Sequence, residues 1–533
     1  MTRTSSRRHR RRSGLVIGAA GLGLISLVSA CGASGSSAGS SGGAATLTIA
    51  TATDITDTDS IQVRNSDDDL LMGSTVYESL FVSGQNNQLT PGLAKDAKAS
   101  NDFKTWTMDL QQGVKFQDGK PFGAADVKAN MDAILDPKNA SDDAGDFANV
   151  AKTVVVSKYV VQFDLKTPDN GFPGLLTDNF FIGDMTLRAK EGAKAFAEHP
   201  VGTGPYEYSS RVVGAETTFK RFDGYWRGRP PLAKVIVKVV SDPTVAALDL
   251  EHGDINLIDN FISNAALSTL KSDPNLKLIH RPGLTFSLAF LNFEKARKGG
   301  YKNALAFREG LQGLFDAPKV VPEVIGAYGR YADQQIPPFE AGSNPNIKPP
   351  VYNQKKDVQL LTEGGYPPGS TISIVVNTAP ELCDVATVVQ SNIQKLGYKV
   401  NLLCNGGNLE NNALLGYKWD ALLTKLNSSP VASVYYQKRW RLDLATPLDD
   451  YYTLEDPALQ TVLNKMVGEP TVAKTSAEEQ QAEEIIENQQ HAIVPLFWSD
   501  TWFIANKNVH GLVPTPNGWN NILYNSYTKV SVS

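Results

Sequence analysis

The residues of this chain whose types could do chemistry are few and scattered. There are three cysteines. Cys31 closes the run Leu27-Val28-Ser29-Ala30-Cys31, where a thiol follows small residues and is open to acylation. Cys383 and Cys404 stand well apart from it and are candidates for oxidation to one disulfide. His199, His252, His280, His491 and His510 form no pair at metal-ligand spacing, and none lies close enough to Cys383 or Cys404 to suggest a thiolate metal site. No His-Glu-x-x-His helix and no Gly-x-Ser-x-Gly elbow occurs. Gly113 to Lys120 nearly repeats a phosphate-binding glycine loop. It has one residue too many between the glycines, and Pro121 stands where the magnesium-binding Ser or Thr belongs. No catalytic residue, metal or cofactor is expected.

The elements around Cys31 give its thiol a meaning. Arg3, Arg7, Arg8, Arg10, Arg11 and Arg12 precede an apolar stretch from Gly14 to Leu27, with no acidic residue before the cysteine. A basic region, an apolar region and a small-residue cleavage site in that order make a secretory signal over residues 1–30. The apolar region is too short to span a bilayer. Its end resembles the bacterial lipobox, in which the cysteine is diacylated and becomes the mature N-terminus. The plainer alternative is an ordinary signal peptide with a chance cysteine. Residues 31–45 continue as GASGSSAGSSGGAA after the cysteine, a Gly/Ser tether spanning roughly 20 Å that cannot bury a core. Two acyl chains hold a protein to a membrane where one binds marginally, so the expected address is the outer face of the cytoplasmic membrane. Arg11-Arg12-Ser13-Gly14-Leu15 could pass for a twin-arginine signal, although the general secretory route is the simpler reading.

Beyond the tether the chain exceeds what one hydrophobic core holds, so two or three domains are expected. Its 41% hydrophobic and 20% charged residues are those of an ordinary globular protein. The net charge of −5 includes six arginines that leave with the signal, which takes the mature chain to about −11 and argues against nucleic acid as a partner. Ala45 to Ala52 reads as a strand, Met72 to Phe81 as a helix, and Trp106, Met108 and Leu110 alternate as a half-buried strand. Asp118-Gly119 is a hairpin signal, and a helix from Ala124 stops before Pro137. Leu276 to Ile279 and Thr285 to Leu291 read as two strands, Trp419 to Thr424 and Ile493 to Phe503 as further strands, and Ala477 to Gln490 as a polar helix. Thr371 to Val376, Val385 to Leu396 and Lys399 to Leu403 form a strand, helix, strand crossover. Its handedness puts Cys383 and Cys404 at one sheet edge. A bridge there would stabilise by about 3 kcal/mol; two buried free thiols are the alternative.

One long stretch carries a resemblance. LAKDAKASNDFKTWTMDLQQGVKFQDGKPFGAADV, from Leu93 to Val127, is similar to the signature of the family-5 extracellular solute-binding proteins, the oligopeptide, dipeptide and nickel receptors of ABC importers. Further motifs follow in the same order: Val201-Gly202-Thr203-Gly204-Pro205-Tyr206, Phe222-Asp223-Gly224-Tyr225-Trp226, Gly253-Asp254-Ile255-Asn256, Leu291-Asn292-Phe293, Phe307-Arg308-Glu309 and Leu360 to Tyr366. The resemblance covers essentially the whole mature chain. It implies an α/β, two-lobed periplasmic-binding-protein-like fold with an extra subdomain inserted in the first lobe. The first lobe would comprise 46–75, 200–285 and 485–533, the insert 76–199 and the second lobe 286–484. These motifs themselves read as scaffold: Gly202 and Gly204 as a turn packed on the sheet, Asp118-Gly119 as a hairpin tip.

The same resemblance implies a ligand enclosed between the lobes. By position it would meet Thr53, Asp54 and Ile55 after the first strand, and Lys425, Leu426 and Asn427 at the end of a second-lobe strand. Tyr436, Trp440, Trp502 and Trp519 are the aromatic candidates. Peptide receptors of this group commonly place an aspartate in the second-lobe stretch to hold the ligand ammonium. Thr424 to Pro430 contains no acid, which makes Asp54 the first suspect for that role and leaves Lys425 to face a ligand carboxylate. The implied function is a monomeric, lipid-anchored receptor, not an enzyme, that captures an oligopeptide or dipeptide and delivers it to ABC permease subunits. A receptor for an oligosaccharide or metal chelate is the alternative. A secreted lipoprotein enzyme and a sensor or chaperone that feeds no importer are further readings. Replacing the thiol tests the anchor: Cys31→Ala is expected to release the protein from membranes or leave its signal uncleaved. A variant that still partitions into detergent with unchanged acyl mass would refute the lipobox reading.

Overall fold

Alternating side chains decide where the sheets of this chain form, and two long strands decide how they join. The computed structural model describes residues 45–533 except 64–66, 178–179, 259–263, 327–328, 377–379, 405–417, 428–434, 437–438, 443–453, 470–471, 516–521 and 527. In the first lobe β1 (Thr46–Thr51) is followed by α1 (Asp67–Val76). The inserted subdomain contributes β2 (Ala94–Ala99), β3 (Thr105–Leu110), α2 (Ala124–Leu135), β4 (Val150–Ser157) and β5 (Val160–Leu165). The chain returns through β6 (Tyr206–Val212), β7 (Glu216–Arg221), β8 (Lys234–Val239), α3 (Pro243–His252) and β9 (Leu257–Ile258). β10 (Leu276–Leu291) crosses into the second lobe. There follow α4 (Ala304–Phe315), β11 (Gly329–Tyr331), β12 (Thr371–Val376), α5 (Pro380–Lys395), β13 (Lys399–Leu403), β14 (Ala421–Asn427), α6 (Pro457–Met466) and α7 (Val472–Glu484). β15 (Ile493–Asn506) crosses back.

One mixed sheet runs through both lobes in the order β13-β12-β14-β10-β15-β9-β1-β8-β7-β6, with β11 added beside β15. A separate antiparallel sheet, β2-β3-β5-β4, belongs to the insert. The alternation of β1 sends Leu47 and Ile49 to a core shared with Met108, Phe163 and Val235, and Ala50 to the opposite face with Leu250 and Ile504. In the second lobe, Ala289, Ile374, Leu423 and Phe497 pack beneath α4 and α5. Leu288, Phe290, Leu422 and Trp498 pack on the other face with residues of α6 and α7.

The two strands read at 276–279 and 285–291 are one. The sequence pattern breaks at Arg281-Pro282-Gly283-Leu284 because β10 slips register there against β15. Pro282 has no N–H to give a ladder. Gly283 sits so close to β15 that a Cβ would lie 2.2 Å from the Ser499 carbonyl oxygen. A bulge, not a loop, is the result. Two helices also differ from their sequence pattern. α1 ends at Val76, four residues after the Met72 at which the pattern begins, and α7 starts at Val472 and widens into a π-turn over Ile485–Gln489.

α1 stops where the Gly202–Tyr206 turn meets it. Gly204 N donates to Val76 O at 2.9 Å, and Gln117 of the hairpin ties Val76, Gly204 and Tyr206 carbonyls together through Nε2. The turn therefore packs on the end of a helix as well as on the sheet, where Tyr206 pairs with Arg221 and the Pro205 carbonyl accepts from Phe222 N.

The bridge expected between Cys383 and Cys404 is not formed. The parallel register of Val375 with Leu403 does bring Cys404 to the edge where α5 begins. Cys383 is buried in the second-lobe core and Cys404 is half-buried against it. A Cβ at Gly204 would stand 2.6 Å from the Val76 carbonyl. Gly204→Ala is therefore expected to destabilise by about 1–3 kcal/mol in urea unfolding. A change within experimental error would mean that the turn and helix separate freely.

Candidate functional site

The register of the sheet brings both sets of parallel strand ends to one place. β1 runs parallel to β8 and β9, and β9 pairs with β15 through Leu257–Ala505 and Ile258–Ile504, so the carboxyl end of β1 points toward residues 500–503 of β15. From the other side, β12 runs parallel to β13 and β14, and Asn427 at the end of β14 faces Thr285, directly after the bulge. Ligands of open α/β sheets bind outside the carboxyl ends of parallel strands. Here those ends converge on the crossing of β10 and β15 from both lobes.

The first-lobe rim is the loop after β1, and it is fastened to its own lobe. Thr53 Oγ1 donates to Asp68 of α1. Thr56 N and Oγ1 donate to the two oxygens of Asp69, at 2.8 and 2.6 Å. Asp54 Oδ2 accepts from Arg211 Nη2 at 2.9 Å and from Gly214 N at 2.7 Å. The same Arg211 nitrogen reaches the carbonyl of Ile55, whose side chain is buried. Asp54, the suspected ammonium partner, thus already serves a guanidinium. Deeper in the loop, Arg188 Nε donates to Asp59 at 2.7 Å; burial nonetheless raises the Asp59 pKa above the ordinary aspartate value.

The second-lobe rim brings together residues distant in sequence. Lys425 on β14 is half-buried and ion-paired with Glu381, in the first turn of α5. Directly opposite Lys425, on β10, stands Ser287, fully buried and with no hydrogen-bond partner for its hydroxyl. Both face the side of the sheet that carries Phe497 and, beyond the crossing, Phe503 and Ala505. Leu426 points the other way into the core with Phe290 and Trp440, and Asn427 ends β14 beside Thr285. Arg211, Glu381 and Ser287 were not singled out from sequence. A first-turn acid signals a helix start, but nothing local indicates that Glu381 meets a lysine of another strand.

The aromatic candidates divide differently. Tyr436 and Trp440 are fully buried in the second lobe. Tyr436 OH donates to Glu483 at 2.5 Å, and Trp440 Nε1 to Gln335 Oε1 at 3.3 Å. Gln335 in turn donates to both oxygens of Glu483, at 2.7 and 3.0 Å. Trp502 lies at the crossing, buried against Ala50 and Leu250 and opposite His280. On that same face Asp500 accepts from Arg330 Nε at 3.1 Å and lies 2.9 Å from His280 Nε2, a charged strap joining β10, β15 and β11 behind the rims. Trp519 and Cys31 lie outside the described residues. Among the described residues no group of three or more His, Cys, Asp or Glu is arranged to hold a metal ion, and no helix is long and apolar enough to cross a membrane.

A sheet shared by two lobes, with parallel strand ends converging on a double crossing, defines the periplasmic-binding-protein class of fold. Solved structures of that class overlay it. The periplasmic binding protein DppA from Helicobacter pylori, in complex with peptide STSA, matches with a TM-score of 0.80 at 21% identity, over 91% of this chain and 98% of that one. AgaA from A. tumefacien R10, in complex with agropinic acid, gives 0.79 at 21% identity over 92% and 99%. Residues 88–443 match the model of the bacterial extracellular solute-binding proteins, family 5 (middle), and the chain belongs to that family. The glutathione-binding protein GsiB of Escherichia coli O1:K1 is 30% identical over 305 residues. That alignment covers 57% of this chain and 58% of the relative, less than two thirds of its length.

The acids beneath the second-lobe aromatics make stability depend on pH. Burial pushes Glu479 up to about 8, with Glu478 adding repulsion, and burial raises Glu483 and Glu487 as well. A folded-state pKa above the unfolded value of 4.5 means that the native state holds the proton longer, so stability falls as pH rises from about 4.5 toward 8. Glu479→Gln is expected to flatten that fall, gaining on the wild type between pH 5 and 8 in thermal melts. A pH-independent difference would show that Glu479 is not a source of the slope.

Proposed function

We propose that this chain is a lipid-anchored, extracytoplasmic receptor that captures a solute between its lobes and delivers it to an ABC importer. The observation that carries the reading is the convergence of both lobes' parallel strand ends on the β10–β15 crossing, in a chain of this solute-binding family. On this reading the lobes are 46–75, 200–285 and 485–533 against 286–484, with 76–199 as the insert. The bulge at Arg281–Thr285 is the natural flexing point, since a slipped register leaves the fewest ladder bonds to distort.

The lobes also touch away from the crossing, which supports a closing motion. Asn170 of the insert donates through its backbone to Val467 O at 3.1 Å, and through Nδ2 to the Met466 and Glu469 carbonyls at 3.0 and 2.7 Å. A solute that bridges the rims adds contacts only in the closed form, and this differential affinity is what shifts the population. Permease subunits would then read the closed surface.

The solute is of peptide size and character. The related GsiB is named for glutathione, and the similar DppA and AgaA structures hold a peptide and agropinic acid. Native mass spectrometry of the mature chain, purified without denaturation, is expected to show a bound small molecule that is lost on unfolding. Scattering should show a more compact form when that molecule is restored. A chain that carries nothing, and neither binds nor closes on peptides, glutathione or metal chelates, would overturn the proposal.

A further inference from the structure

We infer that Glu381 and Lys425 are a recognition pair for a compact zwitterion, an α-amino-acid head in which one carbon bears both a free ammonium and a free carboxylate. The inference rests on the interlobe site proposed above and names the chemistry of its solute.

Position comes first. Lys425 lies near the carboxyl end of β14 and Glu381 in the first turn of the 16-residue α5, both at the sheet edge that faces the crossing. Their side chains are 32% and 36% exposed, open enough for a ligand to reach and buried enough for an unpaired charge to be costly. Ser287, opposite Lys425 and on the same face, keeps a buried hydroxyl without a partner. A carboxylate beside Lys425 would give that hydroxyl an acceptor. Asp54, the acid of the opposite rim, is occupied by Arg211 and Gly214 N. Glu381 is therefore the acid this rim offers to an ammonium, supplied by a helix start where the strand Ala421–Asn427 has none.

Charge bookkeeping then selects the ligand. Without solute, the two side chains satisfy each other. A ligand carrying one charge either shares the pair, adding a like charge beside one member, or breaks it and leaves the second member unmatched. A ligand carrying both charges replaces one ion pair by two: its ammonium takes Glu381, and its carboxylate takes Lys425 and the positive end of α5. Because Glu381 and Lys425 start in direct contact, the least rearrangement is needed by a ligand whose two charges lie close together. The termini of an ordinary linear peptide are held apart by the chain between them, at up to about 3.3–3.6 Å per residue. A free amino acid or a γ-glutamyl peptide keeps both charges on one carbon.

The test uses calorimetry on the full mature chain with the γ-linked tripeptide glutathione, its α-linked isomer, N-acetylglutathione and free glutamate. The proposal expects the probes with an intact head to bind. Acetylation, and either Glu381→Gln or Lys425→Met, should weaken binding about 10- to 100-fold in protein that still unfolds cooperatively. Equal affinity for the acetylated or α-linked probe, or wild-type affinity in both variants, would overturn the pair while leaving solute capture intact. If no probe binds, the solute carried through purification decides: a mass containing a free α-amino-acid head, released by both variants, upholds the inference, and one without such a head refutes it. A chain that binds no probe and carries no solute refutes both this inference and the receptor reading.

Discussion

The antiparallel pairing of β10 with β15 is the constraint from which the rest of this structure follows. Each strand is long enough to serve two lobes, and their ladder runs from Leu276–Asn506 in one to Phe290–Ile493 in the other. A continuous flat ladder of that length would make the two lobes a single rigid slab. The slip at Pro282-Gly283 prevents this, and it does so where backbone meets backbone too closely for any side chain. Every other placement is measured from this pair. β9 and β1 are laid against its first-lobe end and β14, β12 and β13 against its second-lobe end. The convergence of strand ends is thus a product of register.

Charge is distributed around that crossing with a clear division. On the face away from the rims, Asp500 is shared by His280 and Arg330, so a carboxylate in the low-exposure pivot is matched from both sides. On the first-lobe rim, Arg211 holds Asp54 and the Ile55 carbonyl, which makes that loop a fixed wall. Among the described residues, the second-lobe rim combines a half-exposed ion pair with an unsatisfied buried hydroxyl. On the proposed reading, the fixed groups set the shape of the ligand site and the exchangeable pair sets its chemistry.

How much of this was legible in sequence depends on how far apart the interacting residues lie. β1, β3 and the crossover β12-α5-β13 follow from alternation and β-branched content within a few residues, and the structure has them. The family signature identified the fold because its motifs sit in turns and caps, such as the Gly202–Tyr206 turn on α1. The bulge in β10 read as a gap, since Pro and Gly look alike in a loop and in a slipped register. The ties that matter most at the rims were not legible. Asp54 meets Arg211 across 157 residues, and Glu381 meets Lys425 through a sheet edge that no local pattern announces. The aromatics clustered near Tyr436 and Trp440 drew attention by type, yet a buried glutamate network absorbs their polar ends. For Cys383 and Cys404 the shared edge was readable from the crossover topology, and the absence of a bond was not.

The contact made by Asn170 has a consequence for how this surface tolerates change. Its three hydrogen bonds end on the main-chain carbonyls of Met466, Val467 and Glu469, at the close of α6, and on no side chain there. Every residue type offers the same carbonyl. Position 469 can therefore be rewritten without loosening this contact, whereas Met466 and Val467 are held by the core they fill. The partner on the insert has no such freedom. A single amide side chain carries two of the three bonds, so on the insert's side these hydrogen bonds depend on the identity of one residue.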